Sequence, residues 1–294
     1  MTTEAAHIRI VRARRGVREN TVRLLKSAPW SARFGMIVIV IYALAAILAP
    51  LIAPYGESQI TGKAYAAFSR ANWLGTDQIG RDLLSRLIYG ARNTIGIALL
   101  TVLISFFVGG TLGVMAAIRR GWVDQVLSRI VDAIMAIPVL IFALMLLAVF
   151  GKYVINLILI LALLDATRVF RLARNTALGV VTMDYVEAAR LRGENLGWIT
   201  FREIVPNIMA PMVAEFGLRF CFVFLTISAL SFLGVGIQPP TADWGSMVAE
   251  NKTMISYGYP TPLIPAGAIA LLTVSVNFVV DWFLHKTSGL RDEQ

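Results

Sequence analysis

Three ionisable side chains lie within or at the edge of apolar runs long enough to enter a membrane. Glu215 and Arg219 are four residues apart in the apolar run 208–233, and Asp165 directly follows another charge-free stretch. Ionisable groups at membrane depth are costly, and many line the pathways of ions, protons or substrates. The same spacing lets Glu215 and Arg219 neutralise each other on one helix, and Asp165 can face Arg168 in a similar way. A transport-pathway role and a purely structural pairing are both open for these groups.

Few other residues in the chain could carry out catalysis or hold a cofactor. The segment from Gly56 to Lys63 resembles a phosphate-binding loop, but five residues separate its glycines and Ala64 replaces the required Ser or Thr. Cys221 is the only cysteine, and the two histidines, His7 and His285, lie at opposite ends of the chain. Cysteine-based redox or metal sites are therefore excluded. We predict no catalytic residue, no metal site and no cofactor bound by this chain itself.

A polar island, residues 184–207, separates two apolar runs in the second half of the chain. Asp184 precedes Glu187 by three residues, which predicts a helix whose first free N–H groups are capped. Gly193 then predicts the end of this helix, because glycine tolerates the positive φ of a C-terminal cap. The pattern indicates a helix and a turn outside the membrane.

A second short helix is predicted within the island, from about residue 195 to 205, where Pro206 should halt it. In the first helix, Ala188 and Ala189 should leave one face nearly bare. Another surface could then approach the helix backbone closely. The island is therefore predicted to be a binding surface for another protein.

The composition requires a membrane environment for most of the chain. Of the 294 residues, 57% are hydrophobic and the mean hydropathy is +0.70, well above the apolar content of soluble domains. The net charge of +9 could suggest nucleic-acid binding. However, Lys and Arg cluster at the ends of the apolar runs, where the orientation of a membrane protein explains them.

We predict an all-α membrane protein with six transmembrane helices. A basic segment, 1–33, precedes the membrane domain 34–284, and a short tail, 285–294, follows it. An uncleaved first helix fits better than a signal or transit peptide, because its apolar run has the length of a spanning helix. The predicted spans are about 34–53, 94–118, 130–151, 153–172, 208–233 and 263–284.

The distribution of basic residues predicts that both termini, and the 184–207 island, lie on the cytoplasmic side. Two local features predict how the helices pack. Gly109 and Gly113 form a GxxxG pair that allows close approach of a neighbouring helix, and Pro138 should bend the third span.

The outer segments 55–92 and 234–262 hold the remaining candidate site residues. Trp73 suits a membrane interface, and Asp77, Arg81 and Asp82 are close enough in sequence to form a local charge cluster. A solvated interfacial turn followed by an amphipathic helix explains the same residues equally well. Trp244 belongs to the second outer segment.

These features leave three classes of function to compare: an energy-coupled permease subunit, an ion-coupled secondary transporter and a membrane-bound DNA-binding regulator. A regulator would read DNA with the island, which is short, tethered at both ends and without a suitable recognition helix. A secondary transporter should show inverted repeats and coupling carboxylates, yet no repeat is visible and Glu215 is the one good candidate.

The island resembles the cytoplasmic loop motif of permease subunits of bacterial ABC importers, through Glu187-Ala188-Ala189, Gly193 and Ile204-x-Pro206. Val205 stands where leucine is usual. The rest of the chain from about residue 30 is similar to the C-type permease of the dipeptide/oligopeptide/nickel importer family. The matching segments are 72–77, Gly80-Arg81-Asp82, Ile137-Pro138, 230–236, Gln238-Pro239-Pro240 and Trp244-Gly245.

The resemblance implies a type I ABC importer permease fold and an ATPase-coupling role for the island. Glu187 would make a charge contact in a groove of the ATP-binding subunit, Ala188 and Ala189 would pack closely there, and Gly193 would form the turn. Trp198 and Arg202 would brace the second short helix. The full implied coupling set is Asp184, Tyr185, Glu187, Ala188, Ala189, Arg190, Gly193, Trp198, Arg202 and Pro206.

The resemblance also implies the partners: a second permease subunit, two ATP-binding subunits that bind ATP and Mg²⁺, and an extracytoplasmic substrate-binding protein. The outer segments, with Trp73, Asp77, Arg81, Asp82 and Trp244, would receive the binding protein. Peptides are the implied substrates. Nickel, opines and sugars are alternatives within the same family.

Overall fold

The computed structural model describes residues 28–287 of the chain. Most of the predicted basic segment 1–33, including His7, and the end of the predicted tail 285–294 lie outside the described residues. Their predicted roles stay predictions.

The described chain is built from helices, which confirms the predicted all-α class. It contains two isolated antiparallel bridges, Ile60 with Arg81 and Thr76 with Asp82, in the loop before the third helix. The helices are α1 (Trp30–Ile47), α2 (Ala49–Ile52), α3 (Leu83–Arg119), α4 (Gly121–Met135), α5 (Val139–Phe150), α6 (Val154–Val181), α7 (Asp184–Leu191), α8 (Leu196–Ile199), α9 (Val205–Phe232), α10 (Trp244–Asn251) and α11 (Leu263–Thr287).

The described residues contain four helical stretches that are long and apolar enough to span a membrane, or five if the bent pair α4–α5 counts as one span. The predicted number of six is therefore not reproduced by length and composition alone. The predicted span 153–172 does correspond to a helix, α6. Asp165, Arg168 and Arg171 interrupt its apolar run.

Two predicted span boundaries differ from the structure. Helix α3 begins at Leu83, well before the predicted start of the span at residue 94, because Asp82 caps it by accepting a hydrogen bond from the Ser85 backbone N–H at 2.8 Å. The predicted third span, 130–151, is not one helix. Helices α4 and α5 meet at 89° at the step before Pro138, where the proline ring prevents a continuous helix.

The prediction that Pro206 halts a short helix is wrong. The helical path runs without interruption from Leu196 to Phe232. It passes through a π-helical turn, Thr200–Ile204, immediately before the proline. The wider turn changes the hydrogen-bond spacing where Pro206 supplies no N–H, and such irregularities are tolerated in membrane helices. The second part of the island is therefore the start of the helix that contains the predicted span 208–233.

The two glycines of the GxxxG pair lie at the closest contact between α3 and α6, as predicted. A Cβ atom placed on Gly109 would lie 2.4 Å from the carbonyl oxygen of Ala166, and one on Gly113 would lie 2.6 Å from that of Phe170. Neither distance leaves room for any side chain. The backbone contact between these helices thus depends on both glycines.

We expect Gly113→Ala to destabilise the folded protein by about 1–3 kcal/mol, because the added methyl group must force α3 and α6 apart. Gly96→Ala, on the same helix, is the control, since a Cβ at Gly96 meets nothing within 4 Å. The apparent melting temperature of the purified protein in detergent should fall for the first variant and not for the second. Equal melting temperatures would show that the close contact contributes little.

Candidate functional site

Helix α7 forms the first part of the island, and its start differs from the prediction. The N-cap residue is Met183 and no side chain caps the helix, so the predicted capping role of Asp184 is wrong. Asp184 and Glu187 both lie in the first helical turn. Their negative charges favour this end of the helix, where the backbone N–H groups carry partial positive charge.

The end of α7 is formed by Gly193, as predicted. Its φ is +82°. Its N–H donates to the Arg190 carbonyl at 3.0 Å, and the next N–H, of Glu194, donates to the Ala189 carbonyl at 3.2 Å. These bonds satisfy carbonyl groups that the helix leaves free. A Cβ at Gly193 would meet no atom within 4 Å, so the glycine is required by the backbone conformation and not by lack of space.

The inward face of α7 consists of Val186 and Ala189, both fully buried. The prediction that Ala189 belongs to a bare outer face with Ala188 is therefore wrong: Ala189 packs inside the protein, and only Ala188 is exposed. Residues three apart share a helix face, so Val186 and Ala189 form one side and leave the other to solvent. The apolar cluster beneath α7 also contains Val114, Ala117, Ala173, Ala177, Val181, Ile199, Ile204 and Ile208.

This cluster, which we call the inner core, anchors the island to the spanning helices. Val114 belongs to α3, Ala177 to α6 and Ile208 to α9. A close-packed interior transmits displacement because its side chains have little free volume. Through the inner core, α7 therefore shares one apolar cluster with three long helices.

The outward face of α7 carries Asp184, Tyr185, Glu187, Ala188 and Arg190, all exposed. Leu191 is also exposed, to 84%, and was not among the predicted site residues. Helical periodicity could have identified it, because the inward positions Val186 and Ala189 place Leu191 on the opposite side. The surface combines acidic, basic and apolar groups.

In the second part of the island, Trp198 and Arg202 were predicted to brace the second short helix, and the structure agrees with this role for Trp198 only. Asn195 caps α8 by accepting a hydrogen bond from the Trp198 N–H at 2.8 Å. Trp198 is half-buried against the inner core, which agrees with a bracing role. Arg202 is exposed, and within residues 28–287 the structure shows no hydrogen bond or ion pair that would let it brace the segment. Pro206 is exposed within the continuous helix.

Glu215, Arg219 and Asp165 meet between α9 and α6. The Nε of Arg219 lies 2.6 Å from Oε1 of Glu215, the predicted pair, and its Nη1 lies 3.7 Å from Oδ1 of Asp165. The predicted pairing of Asp165 with Arg168 is thus replaced by an interhelical contact with Arg219. The reason is tertiary: α6 packs against α9 with Asp165 on the contact side. The three charges tie the two helices together.

A second charge cluster, which we call the outer cluster, contains Asp77, Arg81, Arg86 and Glu250. Arg81 Nε lies 2.6 Å from Asp77 Oδ2, and its Nη2 lies 3.0 Å from Glu250 Oε2. Arg86 Nη1 contacts Asp77 Oδ2 and lies 2.9 Å from Glu250 Oε2. Asp77, Arg81 and Arg86 are at most 4% exposed. Burial raises the pKa of Glu250, and the Arg81 charge opposes that rise.

The outer cluster confirms the predicted contact between Asp77 and Arg81 and excludes a solvated turn at this position. Sequence reasoning missed Arg86 and Glu250, which come from the start of α3 and from α10. In the sequence, both residues stand next to apolar residues. That position can indicate a buried charge, but it does not identify the residue that pairs with it. The cluster joins the loop before α3 to α10.

The other predicted outer residues have different surroundings. Asp82 caps α3 and accepts a hydrogen bond from the Asn72 side chain at 2.9 Å. Trp73 is 64% exposed. Trp244 is fully buried, with its ring N–H donating to the Leu87 carbonyl at 2.9 Å, so it cannot contact a docked protein as predicted. Within the described residues, no group of three or more His, Cys, Asp or Glu side chains is placed to hold a metal ion.

Comparison with known families gives two matches. The model for "Binding-protein-dependent transport system inner membrane component" matches residues 109–287. The model for "N-terminal TM domain of oligopeptide transport permease C" matches residues 29–67.

Several curated proteins are similar over most of their length. A di/tripeptide transport system permease protein of Pseudomonas aeruginosa (strain UCBPP-PA14) is 34% identical, with 88% of this chain and 85% of that protein covered. A dipeptide transport system permease protein of Alkalihalophilus pseudofirmus is 32% identical, covering 88% and 83%. A glutathione transport system permease protein of Pectobacterium atrosepticum is 34% identical, covering 76% and 72%.

Among solved structures, a chain from a crystal structure of an amino acid ABC transporter with histidines shares the fold. The TM-score is 0.51 and the identity is 20%, with 68% of this chain and 94% of that chain covered. At this identity the likeness concerns the fold alone.

Proposed function

The chain belongs to the family of inner-membrane components of binding-protein-dependent transport systems, and from this premise we propose that it forms half of the translocation pathway of an ATP-driven peptide importer. The pathway would serve di- or oligopeptides delivered by an extracytoplasmic binding protein. Membership of this family also decides against the two other classes, an ion-coupled secondary transporter and a DNA-binding regulator.

The observation that carries the proposed mechanism is the outward face of α7 above the inner core. Its exposed Glu187, Ala188 and Arg190 are available to a partner, while Val186 and Ala189 fix the helix to the membrane domain. An ATP-binding subunit that holds this face would move α7 as a rigid body when it closes on ATP. The packed helices would then rock between inward- and outward-facing states.

The proposed partners divide the chemistry among several chains. Two ATP-binding subunits would bind ATP and Mg²⁺. In this chain, the segment from Gly56 to Lys63 resembles a phosphate-binding loop but has the wrong glycine spacing and lacks the required Ser or Thr. A second permease subunit would complete the pathway. This chain would be non-catalytic and would transmit force.

The outer segments would receive the binding protein, with both chain termini on the cytoplasmic side. The outer cluster supports this assignment because it joins the loop 55–82 to α10 through three buried charges and the partly buried Glu250. A platform of this kind would keep its shape while a partner docks and leaves. Exposed Trp73 lies on the same loop.

Peptides are the proposed cargo because the similar permeases serve di- and tripeptides, dipeptides and glutathione by name. Nickel, opines and sugars are the alternatives. We expect proteoliposomes that contain the complete importer to take up labelled dipeptide only with internal ATP and external binding protein. Unlabelled di- and tripeptides should compete, whereas nickel and free sugars should not. Competition by nickel or a sugar alone would assign a different cargo.

A further inference from the structure

An apolar groove of about 700 Å³ lies between α3 and the continuous helix Leu196–Phe232. On α3 it extends from Phe106 to Arg119, which at 1.5 Å per residue is about 20 Å. One leaflet of a bilayer, with its headgroup region, is about as deep. The groove therefore has the length of a single leaflet.

The lining is apolar along almost its whole length. Thr111, Thr200 and Arg119 carry its only polar side chains, and Arg119 lies at the end predicted to be cytoplasmic. Arg119 is exposed, and the described part of the chain gives it no ion-pair partner. At the rim, Phe107 is 75% and Phe201 is 74% exposed. A single cation thus ends an otherwise hydrocarbon-like channel.

We propose that the groove binds one anionic phospholipid of the cytoplasmic leaflet, with an acyl chain along α3 and the phosphate at Arg119. Basic sites between membrane helices on the cytoplasmic side attract such headgroups. The proposal rests on the membrane orientation given under the proposed function. It adds a ligand that the importer mechanism does not require.

A peptide in transit fits the groove less well. It would bury backbone N–H and C=O groups against a lining that cannot pair with them, which is costly. A helix of a partner protein is the other candidate occupant, and the subunit retention measured below distinguishes it from a lipid.

The groove also touches the island. Leu196, Gly197 and Thr200 line its cytoplasmic end, and the same segment packs on the inner core through Ile199. A bound lipid would therefore support the segment that follows α7. We infer that anionic lipid raises the ATPase response to the binding protein.

The test uses the complete importer, purified in mild detergent and analysed by native mass spectrometry with added phosphatidylglycerol or phosphatidylethanolamine. Gly110→Leu should fill the groove, because a Cβ at Gly110 meets only Met212 at 3.8 Å. It is expected to abolish retention of phosphatidylglycerol. Arg119→Gln should reduce the preference for phosphatidylglycerol over phosphatidylethanolamine about fivefold, the effect of one basic residue near an anionic surface.

The matched controls are Gly96→Leu, on an open part of α3, and Arg129→Gln, an exposed arginine of α4. Both should bind phosphatidylglycerol like the wild type. Equal retention in Gly110→Leu and Gly96→Leu would overturn the proposal. Dissociation of the second permease subunit from Gly110→Leu would overturn it in favour of a protein occupant.

The ATPase response is measured separately, in nanodiscs of phosphatidylethanolamine with and without phosphatidylglycerol. A response that rises with phosphatidylglycerol in the wild type but not in Gly110→Leu supports the regulatory role. Selective retention of phosphatidylglycerol without any effect on ATPase activity would overturn the regulatory role, but the groove would still be a lipid-binding site. A wild type without any ATPase response to the binding protein would contradict the proposed function and leave the retention result unaffected.

Discussion

Glu187→Lys is expected to lower binding-protein-stimulated ATP hydrolysis and peptide uptake at least about tenfold while leaving membrane insertion unchanged. Glu187 is exposed in the first turn of α7, so the substitution does not disturb the inner core. Reversal of a charge that contacts a partner removes one favourable interaction and adds a repulsive one, and such changes commonly cost more than the 1.4 kcal/mol that equals a tenfold effect. The measurement is ATPase activity of the reconstituted importer with and without binding protein.

Asp281→Lys provides the control for this charge reversal. Asp281 is exposed on α11, at the end predicted to be cytoplasmic and outside the island. It should leave the stimulated activity and the copurification of the ATP-binding subunits unchanged. If Glu187→Lys also left both unchanged, the coupling role of the outward face of α7 would be refuted.

Gly193→Val tests the same surface through the backbone. The φ of +82° strains a β-branched residue by about 1–3 kcal/mol, although the space around it is open. The turn after α7 should shift and coupling should fall. Gly179→Val is the control, because that glycine also has open surroundings but does not have a positive φ. Equal coupling in the two variants would contradict the role of the turn.

Asp77→Asn is expected to lower the free energy of unfolding by about 3–5 kcal/mol, the usual cost of removing one partner from a buried ion pair. Asp77 is fully buried and accepts from the side chains of Arg81 and Arg86. It also accepts from the backbone N–H groups of Ile79 at 3.0 Å and Arg81 at 2.9 Å. The loss of its charge leaves two buried guanidinium groups with Glu250 alone.

The comparison variant is Asp132→Asn. Asp132 pairs with Arg171 at 2.5 Å, but both side chains are at least half exposed, and exposed pairs contribute about 0–1 kcal/mol. Thermal unfolding in detergent should show a lower apparent melting temperature for Asp77→Asn and almost none of that shift for Asp132→Asn. Similar shifts would mean that the outer cluster acts as an ordinary surface pair.

A stable Asp77→Asn protein would also bear on the docking of the binding protein. The outer cluster holds the loop 55–82 against α10. A weaker cluster should therefore loosen the contact between this loop and α10, where the binding protein is proposed to dock. The affinity of the importer for its binding protein would then fall even where the membrane helices stay folded. Pull-down of the binding protein by Asp77→Asn and Asp132→Asn importers separates this effect from a general loss of stability.

The sequence alone determined the features that depend on short-range chemistry. Apolar runs of about 20 residues identified the all-α membrane class, because a run of this length spans lipid as a helix whose backbone groups are paired internally. Gly193 ended α7 because of its own φ, and the Gly109–Gly113 pair marked a close contact because the lack of a side chain is visible in the sequence. The Glu215–Arg219 pair is one helical turn apart. Each of these features lies within a few residues along the chain.

The tertiary structure decided what depends on how distant segments pack. It brought Glu250 of α10 to Arg81 and Arg86, and Asp165 of α6 to Arg219 of α9. It also buried Ala189 and Trp244 and carried the helix past Pro206. It also formed the groove between α3 and α9. Such contacts depend on which helix faces meet in space, and the local pattern of residues does not specify that.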